Sequence, residues 1–229
     1  MGHYFVVRPR DRATKTRRTD RERTLDSLNF RPLKWTPTTT DELRDAFGNF
    51  RGVRRRIDLW TQTQLVNAQI QSGDQRQILV FDVIRDDDEL DATGTESTFV
   101  WIVDQGCQFE PVHVMGFGQL PLFALLRPLA VRLFNYSFPH PSLEYSCCIF
   151  NERGRFERRP FGANLVSCLE NLKPDTQWPF RSNLGFDFVL NGAQFLMWRD
   201  QLVLSEDMVD FVRTAEAVHA AAKSDTPCE

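Results

Sequence analysis

The chain has 229 residues, of which 41% are hydrophobic and 26% charged, and it contains 19 phenylalanines and 5 tryptophans. Side chains of this kind need a core, so the composition excludes a wholly disordered chain. The net charge of −3 and the pI near 5.9 count against a dedicated nucleic-acid-binding domain, since such domains are usually basic.

The N-terminal part predicts a strand, a basic segment and a short helix. Residues 4–7 (YFVV) favour a first strand. Residues 8–23 carry eight basic against three acidic side chains, a local charge of +5, and almost nothing apolar, which indicates a loop or flexible segment. Thr39 and Glu42 have the spacing of a capping box and indicate a helix start. One apolar face of this helix is formed by Leu43, Ala46, Phe47 and Phe50.

The next part of the chain predicts strands. Residues 53–72 fit both a helical and a strand pattern, and we favour a strand for 55–61. Residues 77–84 and 97–103 are rich in β-branched and aromatic side chains. This composition favours two antiparallel strands joined by a long polar connection.

The polar connection is an acidic loop, residues 86–96. The stretch 86–104 contains seven acidic residues and no basic one, a local charge of −7. Beyond it, residues 109–116 favour a further strand, although Pro111 weakens the pattern because proline cannot donate a ladder hydrogen bond. Residues 119–135 then predict a buried helix.

Further along, residues 142–150 predict a strand, residues 151–154 (NERG) a turn, and residues 161–172 a helix. The clearest local signal lies in residues 186–198. Asn191-Gly192 separates two apolar runs there, which predicts a β-hairpin because both residues tolerate positive φ.

The C-terminal end predicts a strand, a helix and a tail. Residues 201–205 favour the strand, and Ser205 is expected to cap the helix, helped by the acidic residues that follow it. Residues 224–229 are expected to fray. The apolar face of the helix consists of Met208, Phe211, Val212, Ala215 and Ala222.

These elements do not alternate strictly between strand and helix, so they predict an α+β fold in a single domain over residues 1–229. We expect an antiparallel sheet of roughly 5–7 strands with about 3–5 packed helices, ending in a hairpin and a C-terminal helix. No apolar segment is long enough to predict a membrane span. The five cysteines, two of them adjacent, indicate reduced thiols rather than a disulfide framework, and therefore a cytoplasmic location.

The sequence contains no complete catalytic or metal-binding motif. None of the four histidines is spaced as a metal ligand with another histidine or a cysteine. Asp82 and Glu96 are possible metal carboxylates, and Cys147-Cys148 is a possible nucleophile whose apolar surroundings should raise its pKa. We therefore assign no catalytic residue, metal or cofactor, and an enzyme of unknown class is the third of three functional hypotheses.

The first hypothesis comes from a resemblance. The segments HYFVVRP (3–9) and FLMWRDQLVLSEDMVDFVR (195–213) resemble those of bacterial immunity proteins, small cytoplasmic α+β proteins that neutralise toxins. The resemblance implies a non-enzymatic protein that binds a partner toxin with a basic surface. Charge complementarity would then place the contact on the acidic loop, at Asp86, Asp87, Asp88, Glu89 and Asp91.

The second hypothesis is a nucleic-acid-associated protein. Arginine side chains from two segments would neutralise phosphates, namely Arg8, Arg10, Arg12, Arg17, Arg18, Arg54, Arg55 and Arg56, and Arg21 and Arg23 lie in the same basic run. The run has no interleaved aromatic residues for stacking on bases. The open question is therefore whether the basic segment binds phosphate groups of a nucleic acid or forms ion pairs with acidic groups of its own chain.

Overall fold

A computed structural model describes residues 15–50, 53–54, 65–84, 96–116, 141–143, 147–155, 157, 159–172, 184–199 and 202–226. Within them, four α-helices accompany one antiparallel sheet of eight strands. The helices are α1 (Lys15–Asp26), α2 (Pro37–Phe47), α3 (Ala163–Asn171) and α4 (Met208–Asp225). The strands are β1 (Arg31–Pro32), β2 (Leu65–Ser72), β3 (Arg76–Ile84), β4 (Glu96–Asp104), β5 (Phe109–Gly116), β6 (Cys147–Phe150), β7 (Asp187–Gly192) and β8 (Gln194–Arg199). The α+β prediction is confirmed, with one strand more than the upper bound.

The strand order is β1-β2-β3-β4-β8-β7-β5-β6. The C-terminal hairpin β7–β8 thus lies between β4 and β5, although only residues 105–108 join those two strands. This connection must span three strand spacings, about 14 Å in all. It crosses the tip of the hairpin, where the Asp104 backbone N–H donates to the Ala193 carbonyl at 2.8 Å.

Side chains alternate between the two faces of the sheet, and each face has its own core. One core combines residues such as Val80, Val100 and Phe188 with α3, α4 and the end of α1. The other core combines Phe81 and Trp198 with α2. Burial on both faces explains why the central strands are apolar throughout rather than alternating with polar residues.

Helix α2 begins as an N-capped helix, but one turn earlier than the capping-box pattern indicated. Thr36 is the N-cap, and its Oγ1 accepts from the Thr39 backbone N–H at 3.3 Å, with Pro37 in the first turn. Proline is favoured there because its missing N–H would be unpaired in any case. The predicted apolar face is confirmed for Leu43, Ala46 and Phe47, which are buried, whereas Phe50 is buried just beyond the end of the helix.

The β7–β8 hairpin is confirmed, but its turn is shifted by one residue. Asn191 pairs with Gln194, so the two loop residues are Gly192 and Ala193. Gly192 has a φ of 55°, whereas Asn191 keeps negative φ. A glycine at the first of two loop positions is the type II′ arrangement, which needs positive φ only there.

Strand β5 forms in spite of Pro111. The register with β7 shifts between Phe109 and Val112, and Pro111 lies in this irregularity, where no ladder hydrogen bond is required of it. The turn expected at 151–154 is also confirmed: Asn151 and Gly154 are joined by a backbone hydrogen bond, and Gly154 has a φ of 71°.

Two expectations about the C-terminal segment are wrong. The described residues 202–204 are not a strand, because the Val203 backbone N–H donates to Thr98 Oγ1 at 2.9 Å instead of to a neighbouring strand. Ser205 does not cap α4. The N-cap is Asp207, which makes no side-chain capping bond, and Ser205 lies in the turn before it.

The prediction of a frayed tail over residues 224–229 is wrong for residues 224 and 225, and residues 227–229 lie outside the described residues. Helix α4 continues to Asp225, whose carboxylate caps a different helix, α3. It accepts from the backbone N–H of Asn164 at 3.2 Å and of Leu165 at 2.8 Å. These N–H groups lie in the first turn of α3 and have no intrahelical acceptor. The N-cap residue Gly162 has no side chain to accept from them, so the Asp225 carboxylate serves as the acceptor.

The basic segment is not a loop from Lys15 onwards, because residues 15–23 form most of α1. Lysine, arginine and glutamate are good helix formers, and Leu25 in the last turn of the helix is fully buried. The predicted elements at 4–7, 55–61 and 119–135 lie outside the described residues. In the part of the chain that the structure describes, no helix has the length and apolar character needed to cross a membrane.

The cap of α3 can be tested with Asp225→Ala. We expect a loss of about 1 kcal/mol in the free energy of unfolding, measured by urea denaturation, because two N–H groups lose their acceptor. Gly162→Ala should cost a similar amount, since the added Cβ would collide with the Asp225 carboxylate.

The double variant should be no worse than either single variant, because both remove the same interaction. Ser224→Ala, at an exposed neighbouring position, is the control and should change stability little. Fully additive losses for Asp225→Ala and Gly162→Ala would contradict this account.

Candidate functional site

A polar cluster lies where the β4–β5 connection crosses the hairpin tip. Asp104 ends β4, Cys107 lies in the connection, and His219 reaches them from α4, which packs over this face of the sheet. The carboxylate oxygen, the Cys107 thiol sulfur and a His219 ring nitrogen all lie within 4.8 Å of one another, and all three residues are buried. In the described part of the chain, no other group of three such side chains converges in this way.

The His219 ring is central to the cluster. Its Nε2 lies 3.7 Å from the Cys107 Sγ and 3.6 Å from the Asp104 Oδ2. The ring contacts Phe109 and Phe195 edge to face, with centroid separations of 5.5 and 5.9 Å. These aromatic contacts hold the ring in one orientation.

Two donors hold the Asp104 carboxylate. The Gly106 backbone N–H donates to Oδ1 at 2.9 Å, and Lys223 Nζ donates to Oδ2 at 3.0 Å. Lys223 lies one turn after His219 on α4, and its side chain is 45% exposed. The ammonium group therefore reaches the cluster from solvent while the carboxylate remains buried.

The surroundings shift the pKa of each group. Burial opposes ionisation of Asp104, but hydrogen bonds from Lys223 and Gly106 outweigh it and lower the pKa of this carboxyl. The hydrogen bond to Asp104 raises the pKa of Lys223. Burial and then Asp104 raise the pKa of Cys107 to about 11, and burial lowers the pKa of His219 to about 4.

These protonation states do not fit a nucleophilic cysteine. At neutral pH the thiol keeps its proton and the imidazole is neutral, so no thiolate–imidazolium pair exists. A catalytic triad also uses both ring nitrogens, whereas here Nε2 faces both Cys107 and Asp104. A converging sulfur, nitrogen and carboxylate oxygen is instead a donor set that zinc uses in proteins.

Sequence reasoning missed this cluster because its members are far apart along the chain. Cys107 and His219 are separated by 112 residues, and no motif links them. One signal was present: His219 falls on the apolar stripe of α4, four residues after Ala215 and three before Ala222, and it is only 1% exposed. A histidine on a buried stripe needs a polar partner, and Asp104 and Cys107 supply it.

A second polar cluster joins α1 to the sheet. Arg21 and Asp82 are 1% and 0% exposed, and Arg21 Nη2 donates to Asp82 Oδ1 at 2.7 Å. Thr98 Oγ1 donates to the same oxygen at 2.7 Å, and Asn67 Nδ2 donates to Oδ2 at 2.9 Å. Asn67 has a φ of 54° and lies in a register irregularity of β2, which turns it towards Asp82.

This cluster answers part of the question about the basic segment. Arg21 is buried against a carboxylate of its own chain and is not available to phosphate. Asp82 accepts from three donors and is therefore a structural acceptor, not a metal ligand, which corrects the metal-carboxylate hypothesis for this residue. Arg23 is exposed and pairs with Asp20 at 3.4 Å.

Of the other residues predicted to bind a partner or phosphate, the structure describes only three. The described backbone includes Arg17 and Arg18 in α1, and Arg54 is exposed in a short helical turn. The remaining candidates lie outside the described residues: Arg8, Arg10, Arg12, Arg55, Arg56, Asp86, Asp87, Asp88, Glu89 and Asp91.

The adjacent cysteines of β6 behave as expected. Cys147 and Cys148 are both buried free thiols. Burial, with smaller contributions from Cys147 and Asp187, raises the pKa of Cys148. Both thiols are fully buried, and the raised pKa of Cys148 disfavours its thiolate, which is the nucleophilic form.

A shallow groove of mixed charge lies beside β5 and the turn after β6. It is lined by Glu110, Pro111, Asn151, Glu152, Arg153, Arg155, Glu157 and Arg159. Arg159 and Glu110 form an ion pair across it. Three arginines and three glutamates balance in charge, so this surface does not favour a polyanion.

Comparison of the chain with protein-family models, curated proteins and solved structures finds no match in any of the three.

The buried ion pair can be tested with Arg21→Met. Removing the arginine leaves a buried carboxylate without its charge partner, so we expect the free energy of unfolding to fall by about 3–5 kcal/mol. Arg23→Met, on the same helix but exposed, is the matched control and should change it by less than about 0.5 kcal/mol.

The double variant Arg21→Met/Asp82→Asn should recover part of the loss, because no charge then remains buried. Equal losses for Arg21→Met and Arg23→Met in chemical denaturation would show that the pair is not structurally important.

The pKa of His219 predicts acid lability. Its folded-state pKa of about 4 lies below the ordinary 6.5, so between these pH values the unfolded chain binds a proton that the folded protein does not. This penalty is absent above pH 6.5 and grows as the pH falls, reaching about 3 kcal/mol near pH 4. Urea unfolding at pH 7, 5.5 and 4.5 in the presence of a chelator would measure it.

His219→Leu cannot bind the proton and should lose less stability over the same pH range. The same slope in both proteins would assign the acid lability to other groups.

Proposed function

We propose that the protein acts by binding a partner protein with a basic surface through its acidic loop, as a bacterial immunity protein would. The observation that carries this proposal is the register of β3 and β4, in which Ile84 pairs with Glu96. The eleven residues between them therefore leave and re-enter the sheet at the same end, and five of them are acidic. This connection is longer than the roughly 2–5 residues that usually join two antiparallel strands, so it is more than a tight turn.

The charge of this segment supports a basic partner. Five carboxylates and one arginine occupy residues 85–95, so the segment has a local charge of −4. Such a concentration attracts a positively charged surface, increases the association rate and repels nucleic acid.

Two observations disfavour the nucleic-acid alternative. Arg21 of the basic run is buried against Asp82, and Arg23 is paired with Asp20. The groove beside β5 offers as many glutamates as arginines. The intrachain pairs reduce the positive charge available to phosphate, and the balanced charge of the groove does not favour a polyanion.

We also place the protein in a reducing compartment, as the immunity-protein interpretation requires. Cys107, Cys147, Cys148 and Cys168 are free thiols, which supports this location.

Affinity capture from native lysate, followed by mass spectrometry, would identify the partner for expression and kinetic measurement. Neutralising the loop with Asp86→Asn, Asp87→Asn, Asp88→Asn and Glu89→Gln should lower the association rate about tenfold at low salt. The difference should shrink at high salt, because ions screen the attraction.

A matched control removes four exposed carboxylates elsewhere: Asp41→Asn, Asp74→Asn, Glu170→Gln and Glu206→Gln. It has the same net charge as the loop variant and should keep most of the rate. Equal rates for both variants would refute the acidic loop as the contact. Capture of nucleic acid alone, lost after nuclease treatment, would favour the alternative instead.

A further inference from the structure

We propose that Asp104, Cys107 and His219 form a binding site for a divalent transition metal, with Zn²⁺ as the preferred ion. This site is independent of the acidic loop and of any partner. It would connect the β4–β5 connection to helix α4.

The spacing of the donor atoms fits zinc. Zinc binds sulfur at about 2.3 Å, and nitrogen and carboxylate oxygen at about 2.0–2.2 Å, in tetrahedral geometry. These lengths imply about 3.6 Å between sulfur and nitrogen and about 3.4 Å between nitrogen and oxygen. The observed separations are 3.7 Å from Cys107 Sγ to His219 Nε2 and 3.6 Å from His219 Nε2 to Asp104 Oδ2. The third separation, between Cys107 Sγ and the Asp104 carboxylate oxygen, is at most 4.8 Å, so this pair would have to approach by at most about 1.2 Å for one ion to contact all three donors.

The donor types select the metal. A thiolate and an imidazole are ligands for zinc and similar transition metals, whereas Mg²⁺ and Ca²⁺ require oxygen ligands. Zinc binds histidine through a ring nitrogen, and Nε2 is the His219 nitrogen that faces both Cys107 and Asp104. Cys107 must lose its proton, which a coordinated metal promotes.

The surroundings hold the ligands in place. The Gly106 N–H occupies Oδ1 of Asp104 and leaves Oδ2 directed at the cluster. The Cys107 backbone N–H donates to the Asp104 carbonyl at 3.1 Å, which closes the turn that brings sulfur and carboxylate together. Contacts of this kind around the ligands are typical of metal sites.

Lys223 is the competitor of the metal. Its ammonium neutralises Oδ2, the oxygen that the metal would bind. Because its side chain is 45% exposed, the ammonium can move into solvent when a metal replaces it as the counter-charge of Asp104. Gln105 and Gly106 are exposed beside the cluster, so an ion has a short path to it.

Co²⁺ is the spectroscopic probe for this site. After treatment with a chelator and its removal, the full chain should bind one Co²⁺ with a thiolate-to-cobalt absorption band and the visible bands of tetrahedral cobalt. Zn²⁺ should displace the cobalt and raise the thermal unfolding midpoint, while Mg²⁺ should do neither. Absence of the thiolate band in the wild-type protein would overturn the proposal.

Variants identify the ligands. Cys107→Ser should abolish the thiolate band, and Cys168→Ser, which changes a half-buried thiol outside the cluster, should preserve it. A band that survives in Cys107→Ser would also overturn the proposal.

Lys223→Gln provides a second test if Cys107→Ser does not fold. Position 223 is exposed, so this variant is expected to fold. Removing the competing charge should tighten Zn²⁺ binding at least about fivefold, the factor expected for two like charges some 4 Å apart in water. Unchanged or weaker binding by Lys223→Gln would place the metal elsewhere and refute the site.

Discussion

The C-terminal hairpin β7–β8 lies between β4 and β5, and much of the structure depends on this insertion. The centre of the sheet is assembled from strands whose paired residues lie 91 to 101 positions apart in sequence, as in the pairing of Val100 with Met197. Because such pairings are non-local, the sheet is expected to form late and slowly. The insertion also forces residues 105–108 across the hairpin tip, which places Cys107 beneath α4 beside Asp104 and His219. The candidate metal site is therefore a direct consequence of the topology.

The Arg21–Asp82 pair has a different part in the fold. Two charges in an apolar core contribute little net stability, because desolvation offsets most of their attraction. Their geometry is specific, however. Asp82 accepts from α1, β2 and β4, and Thr98 in turn accepts from Val203 in the segment before α4. Helix α1 has few apolar side chains, and these polar contacts hold it in one position on the sheet. We infer that this network determines where α1 lies on the sheet.

The sequence predicted what depends on neighbouring residues and missed what depends on distant ones. Strands β3 and β4, the apolar face of α2 and the hairpin near Gly192 follow from local composition, and they are confirmed. The predicted turn was Asn191-Gly192, but the observed turn is Gly192-Ala193. A type II′ turn needs positive φ only at its first loop residue, and Gly192 supplies it there. Asp225 was assigned to a frayed tail because its partner, the start of α3, lies 60 residues away. The contact between His219 and Cys107 could not be predicted for the same reason, because 112 residues separate them.

The candidate metal site and the strand ends that flank the acidic segment lie at opposite ends of one strand pair. Asp104 pairs with Arg76 at one end of β3–β4, and Glu96 pairs with Ile84 at the other, where the acidic segment begins. Eight residue steps separate these ends, or about 26 Å along the strand. Charge interactions over this distance are screened at physiological salt. A metal at Asp104 would therefore act on the stability of the β4–β5 connection and α4, and not on the strand ends that flank the acidic segment. The proposed partner association and the proposed metal binding would accordingly be separable, each with its own residues.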